Sequence, residues 1–386
     1  MIPWLHLLLL LAVAALQLEH VPPSLRPLFG ESFEAKLAQV EQSSQRRLEE
    51  GEWEHLVHYV LQSTAFTKHP PIEPARSARQ WHDAGRRSVP ADAHARLNDF
   101  LTTRIHGNPR IDTLRKLNPT RGRFAEEYQR VMAFLYDKEF ASADRQGQQR
   151  RDHIAKLYQT RGHSSDSSVE SHYAVDVGLG VLHELRPDQR LHEVLIVGPG
   201  LDFAPRTALD EQTPPQSYQP YLVARSLLRH GLATKDSLRV HCIDLNPRVV
   251  DFFRDPPKKL TLRYQPEEPE HEQFFQHFGA TLTPDTTVTA ERLNILTAAV
   301  TNRKFDLIVA TNILLYFNTE ELALAMINIR RMLHPGGILL HNDLRSEVEA
   351  YAKALGLPVL HARMVRLSAK RQLHDAIVLH QANPRN

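Results

Sequence analysis

Apolar residues recur at helical spacing from about Pro23 to Gly162, and almost no alternating pattern interrupts them. The run FEAKLAQVEQSSQRRLEE is polar and amphipathic, and EWEHLVHYVLQSTAF places Trp53, Val57, Val60 and Leu61 on one face. DAHARLNDFLTTRI and RFAEEYQRVMAFLYDKEF repeat the pattern, with Pro-rich breaks at 70–74 and near Pro90. An α-helical domain over 23–162 follows, with Tyr128, Phe134, Leu135 and Tyr136 as its candidate contacts to the rest of the chain. The polar stretch QTRGHSSDSS (159–168) reads as a linker ending in the N-cap residues Asp166 and Ser167. Glu170, three past Ser167, completes a capping-box pattern.

Beyond the linker the pattern changes to alternating strand and helix. HEVLIVGPG, LRVHCIDL, TTVTAERL, FDLIVATN and GGILLHND read as strands, the third of them weak. YLVARSLLRHGL, PRVVDFFR and TEELALAMINIRRML read as helices between them. The tail VLHARMVRLSAKRQLHDAIVLHQ reads as two strands joined by a polar turn. This order predicts an α/β, Rossmann-like, seven-stranded and mostly parallel sheet over 166–386, closed by an antiparallel hairpin.

Composition adds few constraints. The 386 residues are 42% apolar and 24% charged, with a net charge of +2, so no global field draws the chain to nucleic acid. The N-terminus is more specific. WLHLLLLLAVAAL (4–16) is too short to span a membrane, and Ala12-Val13-Ala14 suits signal-peptidase cleavage, although no Lys or Arg precedes it. Residues 1–18 are therefore expected to be a signal peptide or membrane anchor, with a buried terminal segment as the alternative. Export, or membrane association through this segment, is the corresponding expectation for localisation. The single cysteine, Cys242, excludes an internal disulfide and sits in a buried, β-like run. His55 and His58 lie one helical turn apart without a third ligand, so no metal site is expected.

The candidate chemistry lies at the ends of the predicted parallel strands. Gly198-Pro199-Gly200 follows the first strand, where glycine lets backbone approach a ligand. Asp244, followed by Leu245, closes the second and is suited to accept hydrogen bonds from paired ribose hydroxyls; Asn246-Pro247 takes over capping of the next helix. Asn294 and Ile295 follow the third strand, where an adenine edge is expected. Asn312 and Ile313 follow the fourth. Tyr316, His341, Asn342 and Asp343 lie near the ends of strands four and five. Strand alternation puts His341 and Asp343 on one side and makes them the candidate bases, with Tyr316 beside them.

The block FDLIVATNILLYFNTEELALAMINIRRMLHPGGILLHND resembles the class I S-adenosylmethionine (SAM)-dependent methyltransferases. Within it, NILLYFNTEEL, with LNIL upstream, is similar to chemotaxis-receptor protein-glutamate methyltransferases. The resemblance covers about residues 190–345 and leaves the helical half untouched. It implies SAM as cofactor, with Asp244, Asn294, Ile295, Asn312 and Ile313 in the family's contact positions. It implies no chemotaxis function, and the methyl acceptor stays open among oxygen, nitrogen and carboxylate. Two features depart from the family. Asp202 stands where a third glycine is usual, and is expected either to accept from the SAM ammonium group or to lie in solvent. A long insertion (201–220) brings Tyr218, Gln219 and Tyr221 to the start of the following helix, where they are expected to rim the pocket, with packing as the alternative for Tyr221. The Ser165–Ser167 segment is expected to act as a lid.

Rival chemistries fit less well. Phe203 breaks a G-x-G-x-x-G pattern, no P-loop occurs, and no G-x-S-x-G elbow occurs. A catalytically inactive SAM-fold protein, acting as a binding or structural module outside the cytoplasm, is the alternative, because SAM is a cytosolic metabolite.

Overall fold

The computed structural model describes residues 12–384 apart from 31, 87, 168, 203–210, 212–213, 265–267, 285–287 and 369–372. A short strand, Val13–Ala15 (β1), precedes six helices: Phe33–Gln62 (α1), Pro74–Asp83 (α2), Ala91–Thr102 (α3), Pro109–Arg115 (α4), Arg121–Tyr136 (α5) and Gly147–Thr160 (α6). Asp166–Ser167 (β2), His172–Leu185 (α7), Glu193–Val197 (β3), Leu201–Asp202 (β4), Gln219–Arg229 (α8), Arg239–Asp244 (β5) and Pro247–Arg254 (α9) follow. Leu260–Thr261 (β6), Pro269–Phe278 (α10), Thr281–Leu282 (β7), Val288–Arg292 (β8), Ala298–Val300 (β9) and Phe305–Ala310 (β10) continue the chain. Thr319–Met332 (α11), Leu333–His341 (β11), Ser346–Ala354 (α12), Val359–Ser368 (β12) and Leu373–Gln381 (β13) complete it.

The main sheet has seven strands among the described residues, in the order β12-β13-β11-β10-β3-β5-β8. Strands β8, β5, β3, β10 and β11 run parallel, and β13 is antiparallel to both its neighbours. The expected α/β sheet and closing hairpin are therefore present; the hairpin's turn lies outside the described residues. Period-two alternation divides the sheet cleanly. Val194, Ile196, Val240, Cys242, Leu307 and Val309 face a core built with α7, α8 and α10. Leu195, Ile243, Ile308 and Leu339 face a core built with α11 and α12. Cys242 lies within the first core, and burial pushes its thiol well up, as suits an inert residue.

The N-terminal segment joins the second core. Strand β1 pairs antiparallel with β9, and Leu16, Val21, Leu25, Phe29 and Phe33 are buried against the sheet with α11. Of the expected signal or anchor segment, residues 1–11 lie outside the described residues, while 12–18 pack as part of the fold. No helix among the described residues is long and apolar enough to cross a membrane. The helical half has its own core of Trp53, Leu56, Tyr59, Trp81, Phe100 and Tyr128. Within it, buried Arg96 donates to the carbonyls of Val60, Ser63, His69 and Pro70. Helix α1 spans 30 residues and serves both halves: Val40 packs in the sheet core and Trp53 in the helical one. Contact between the halves near the sheet runs through Tyr158 on Tyr316, 5.5 Å between ring centroids, while Tyr128 and Tyr136 stay within the helical half.

Candidate functional site

A cavity of about 1000 Å³, counting its open mouth, lies at the carboxyl ends of β3, β5, β8 and β10. Gly198, Pro199, Gly200, Asp244, Leu245, Asn294, Ile295, Asn312, Ile313 and Tyr316 all line it. The topology explains their convergence. Parallel strands deliver their carboxyl ends to one edge, so four distant sequence segments meet there. Both glycines are left-handed, with φ of 63° at Gly198 and 65° at Gly200. A Cβ on Gly198 would lie 2.3 Å from Ile313 Cδ1, and one on Gly200 would lie 2.8 Å from the Ser165 carbonyl oxygen. Glycine is thus required both by the turn and by what crosses over it.

Asp244 is the electrostatic focus. Its Oδ1 accepts from the Asn246 amide at 2.8 Å, and the Gly200 and Leu245 amides also hydrogen-bond its carboxylate. Burial nevertheless pushes the carboxyl up to about 7, with the nearby Glu52 charge acting in the same direction. Glu52 comes from the helical half: it accepts from Asn246 Nδ2 at 2.7 Å and pairs with Arg248. Glu41, about three turns earlier in α1, accepts from Asn294 Nδ2 and Thr297 Oγ1, each at 2.7 Å. Asn294 Oδ1 accepts from the Leu296 amide, so this side chain shapes the wall, and Leu293 and Ile295 supply its apolar surface. Neither glutamate carries a motif; their place on a polar helix face far upstream hides their role from sequence reading.

The strap over the cavity is a strand, where the sequence suggested a helix cap. Asp166–Ser167 (β2) pairs parallel with Leu201–Asp202 (β4), and the Leu201 amide donates to the Ser165 carbonyl at 2.7 Å. Helix α7 starts only at His172; the side chain of Glu170 lies outside the described residues. The His163 amide donates to the Arg47 carbonyl at 2.6 Å, and Gly51 and Gly162 let the strap lie directly on α1. Arg47 then spans to the other wall, donating to the carbonyls of Tyr158, Arg161 and Tyr316 and pairing with Glu321 at 3.2 Å.

Three expected site residues take other roles. Asp202 does not line the cavity: its Oδ2 accepts from the Tyr218 amide at 3.2 Å and its backbone holds the β2–β4 pair. His341 is buried in the sheet beside His380, 5.0 Å away, and burial keeps its imidazole neutral. Asp343 donates its amide to His341 Nδ1, while its carboxylate pairs bidentately with Arg345, at 2.7 Å for the shorter ion-pair contact. Arg345 in turn donates to the Leu314 and Phe317 carbonyls. His341 and Asp343 do share a side, as alternation predicted, but that side faces the core and the loop after β10. Asn342 opposite them exchanges two 2.8 Å hydrogen bonds with Asn312, fixing the latter's left-handed φ of 59°. Tyr316 does line the cavity, and burial raises its phenol well above the ordinary range.

Sequence reading missed His163 and His172. Both line the cavity, and both have a buried Nε2 without a hydrogen-bond partner. Burial lowers each imidazole to about 3, with the Arg47 charge adding to the effect at His163. Of the predicted rim, Gln219 lines the cavity and donates to Thr311 at 2.9 Å, whereas Tyr221 packs in the core; residues 203–210 and 212–213 of the insertion lie outside the described residues. No cluster of three metal-binding side chains occurs among the described residues.

The strand order, with its antiparallel β13 inserted beside β11, makes a Rossmann-like, mostly parallel sheet. No family model matches the chain, and no curated protein sequence matches it. The local similarity of 290–343 to chemotaxis-receptor methyltransferases therefore stands on its residues alone. Among solved structures, the chain is similar to N-methyltransferase NodS from Bradyrhizobium japonicum WM9 with S-adenosyl-L-homocysteine, at 15% identity and a TM-score of 0.33, over 56% of this chain and 89% of that one. It is also similar to magnesium protoporphyrin IX methyltransferase from Synechocystis PCC 6803 with bound SAM, at 13% identity and a TM-score of 0.31, over 66% and 97%. The [4+2]-cyclase SpnF matches at 13% identity and a TM-score of 0.32, over 55% and 82%.

Proposed function

We propose that the chain is a SAM-dependent methyltransferase. The observation that carries this reading is the convergence of the left-handed Gly198–Gly200 turn with the buried Asp244 carboxylate at one cavity. A left-handed glycine turn lets a ligand reach backbone, and a carboxylate at the next strand end suits a vicinal diol. Ionised Asp244 would take the ribose hydroxyls, and Leu293 and Ile295 would flank the adenine. Such charge-assisted hydrogen bonds contribute about 1.5–3 kcal/mol each. When bound, the cofactor supplies a methyl group already activated by its sulfonium.

The protein's task is then to exclude water and align the acceptor. The β2 strap and α1 close the cavity from above, and Arg47 ties both to the loop carrying Tyr316. Neither residue first expected as a base lines the cavity, so activation by His341 or Asp343 is not part of this mechanism. Titration calorimetry of the full chain with SAM and with S-adenosylhomocysteine tests the reading; absence of binding to folded protein defeats it. For the N-terminus, packing of residues 12–29 in the sheet core supports their retention in the folded protein. N-terminal sequencing of protein recovered from its native cell checks this: cleavage after Ala14 would contradict it.

A further inference from the structure

The methyltransferase reading leaves the acceptor unnamed, and the wall on the β10 side of the cavity narrows it. Asp244 and Ile295 belong to β5 and the segment after β8, on one side of the Gly198–Gly200 turn. On the other side stand Thr311, Tyr316 and Phe317 after β10, His172 at the start of α7, and His163 on the strap. The His163 ring meets Tyr316 at 5.8 Å and Phe317 at 6.3 Å. We propose, resting on that reading, that this half is the acceptor subsite and takes an uncharged aromatic molecule whose nucleophile is a weakly basic nitrogen, hydrogen-bonded by His163 and His172.

Charge selects against the other acceptors. No lysine or arginine is among the described lining residues, so a carboxylate acceptor meets no cation there. The guanidinium groups that act on His163 and Tyr316 are committed: Arg47 to Glu321 and three carbonyls, Arg161 to Glu54. An alkylammonium or a phenol must first lose a proton. The two imidazoles are too weakly basic to take it, and the remaining lining carboxylates are Asp166, 3.4 Å from His55 Nδ1, and Asp244 across the turn. An aryl nitrogen needs no base, because its lone pair is free at neutral pH. In the transfer, that lone pair forms the C–N bond as the methyl carbon's bond to the SAM sulfur breaks. The C–S electron pair stays on sulfur, giving neutral S-adenosylhomocysteine, and the nitrogen's proton leaves to water. The orphaned Nε2 atoms of His163 and His172 suit an N–H partner, because a buried polar atom left unpaired is destabilising and such a partner relieves it.

The test uses the full-length chain and four monocyclic probes: aniline, phenol, benzoate and benzylamine. Saturation-transfer NMR in excess S-adenosylhomocysteine reads binding, and mass spectrometry with SAM reads transfer. Aniline is expected to bind best and to gain one methyl group. His172→Phe should weaken aniline about three- to tenfold, the loss of a neutral hydrogen bond, without changing SAM affinity, and His172→Gln should recover part of it. Preferential binding or methylation of phenol, benzoate or benzylamine overturns the proposal. So does unchanged aniline binding in folded His172→Phe, or no methyl transfer to any probe by SAM-bound protein. Failure of SAM itself to bind would instead defeat the methyltransferase reading, and is seen separately by calorimetry.

Discussion

Individual residues divide into those that face the ligand space and those that hold others in place. Asp244 belongs to the first group. Asp244→Ala should weaken SAM binding at least about tenfold, the equivalent of one lost charge-assisted hydrogen bond. Its raised carboxyl adds a sign that can be checked. The ionised form accepts from a diol, so SAM affinity should rise as pH increases from about 6 to about 8, and binding at the lower pH should release a proton. Calorimetry in buffers of different ionisation enthalpy measures that proton. Asp343 belongs to the second group. Asp343→Asn should loosen the Arg345 clamp and lower stability by about 3–5 kcal/mol, as when a buried ion pair loses one partner, while leaving the shape of any pH–rate profile unchanged. A missing acidic limb in that profile would restore Asp343 as a base. Strand alternation correctly put His341 and Asp343 together, but a sequence does not reveal which sheet face meets the cavity. Only the packed position of the loop after β10 decides that.

At the scale of elements, the glycine turn and the strap form one device. Gly198→Ala presses on the flexible end of Ile313, which can move; Gly200→Ala presses on the Ser165 carbonyl, which cannot. Both substitutions place alanine at positive φ, at about 1 kcal/mol. Gly200→Ala should therefore cost more in thermal midpoint than Gly198→Ala, and should raise amide exchange at Leu201, whose N–H donates to Ser165. Equal midpoints and unchanged exchange would show that the strap is not held at Gly200. The turn's glycines were legible because positive φ restricts composition. The strap was misread as a helix cap, because Ser and Asp suit caps and short strands alike, and the partner, Leu201–Asp202, is 35 positions away along the chain.

At the scale of the whole molecule, the alternating strands and helices made the sheet and its closing hairpin readable from periodicity. The union of the halves was not. Glu41, Arg47 and Glu52 hold residues of the cavity wall (Asn294, Tyr316 and Asn246) from a polar face of α1 that reads as solvated, and Leu16, Val21 and Phe29 fill a core that no local pattern announces. The buried histidines give the assembly an acid dependence. His163, His172 and His341 are held neutral, so the unfolded chain binds more protons below about pH 6.5. The contribution of His163 and His172 is lost as pH falls from 6.5 toward 3, and that of His341 declines in the same direction, while Asp244 works in the opposite direction between about 7 and 4. With three groups against one, urea midpoints should fall between pH 7 and pH 5; a constant or rising midpoint would mean that these imidazoles are charged in the fold.

The central claim is that a SAM molecule is held at the junction of the glycine turn, Asp244 and the Leu293–Ile295 wall. Titration calorimetry of the intact chain tests it directly. One molecule of S-adenosylhomocysteine bound per chain, with affinity lost in folded Asp244→Ala, is the predicted result. No binding to the intact chain, or binding indifferent to Asp244, would contradict it.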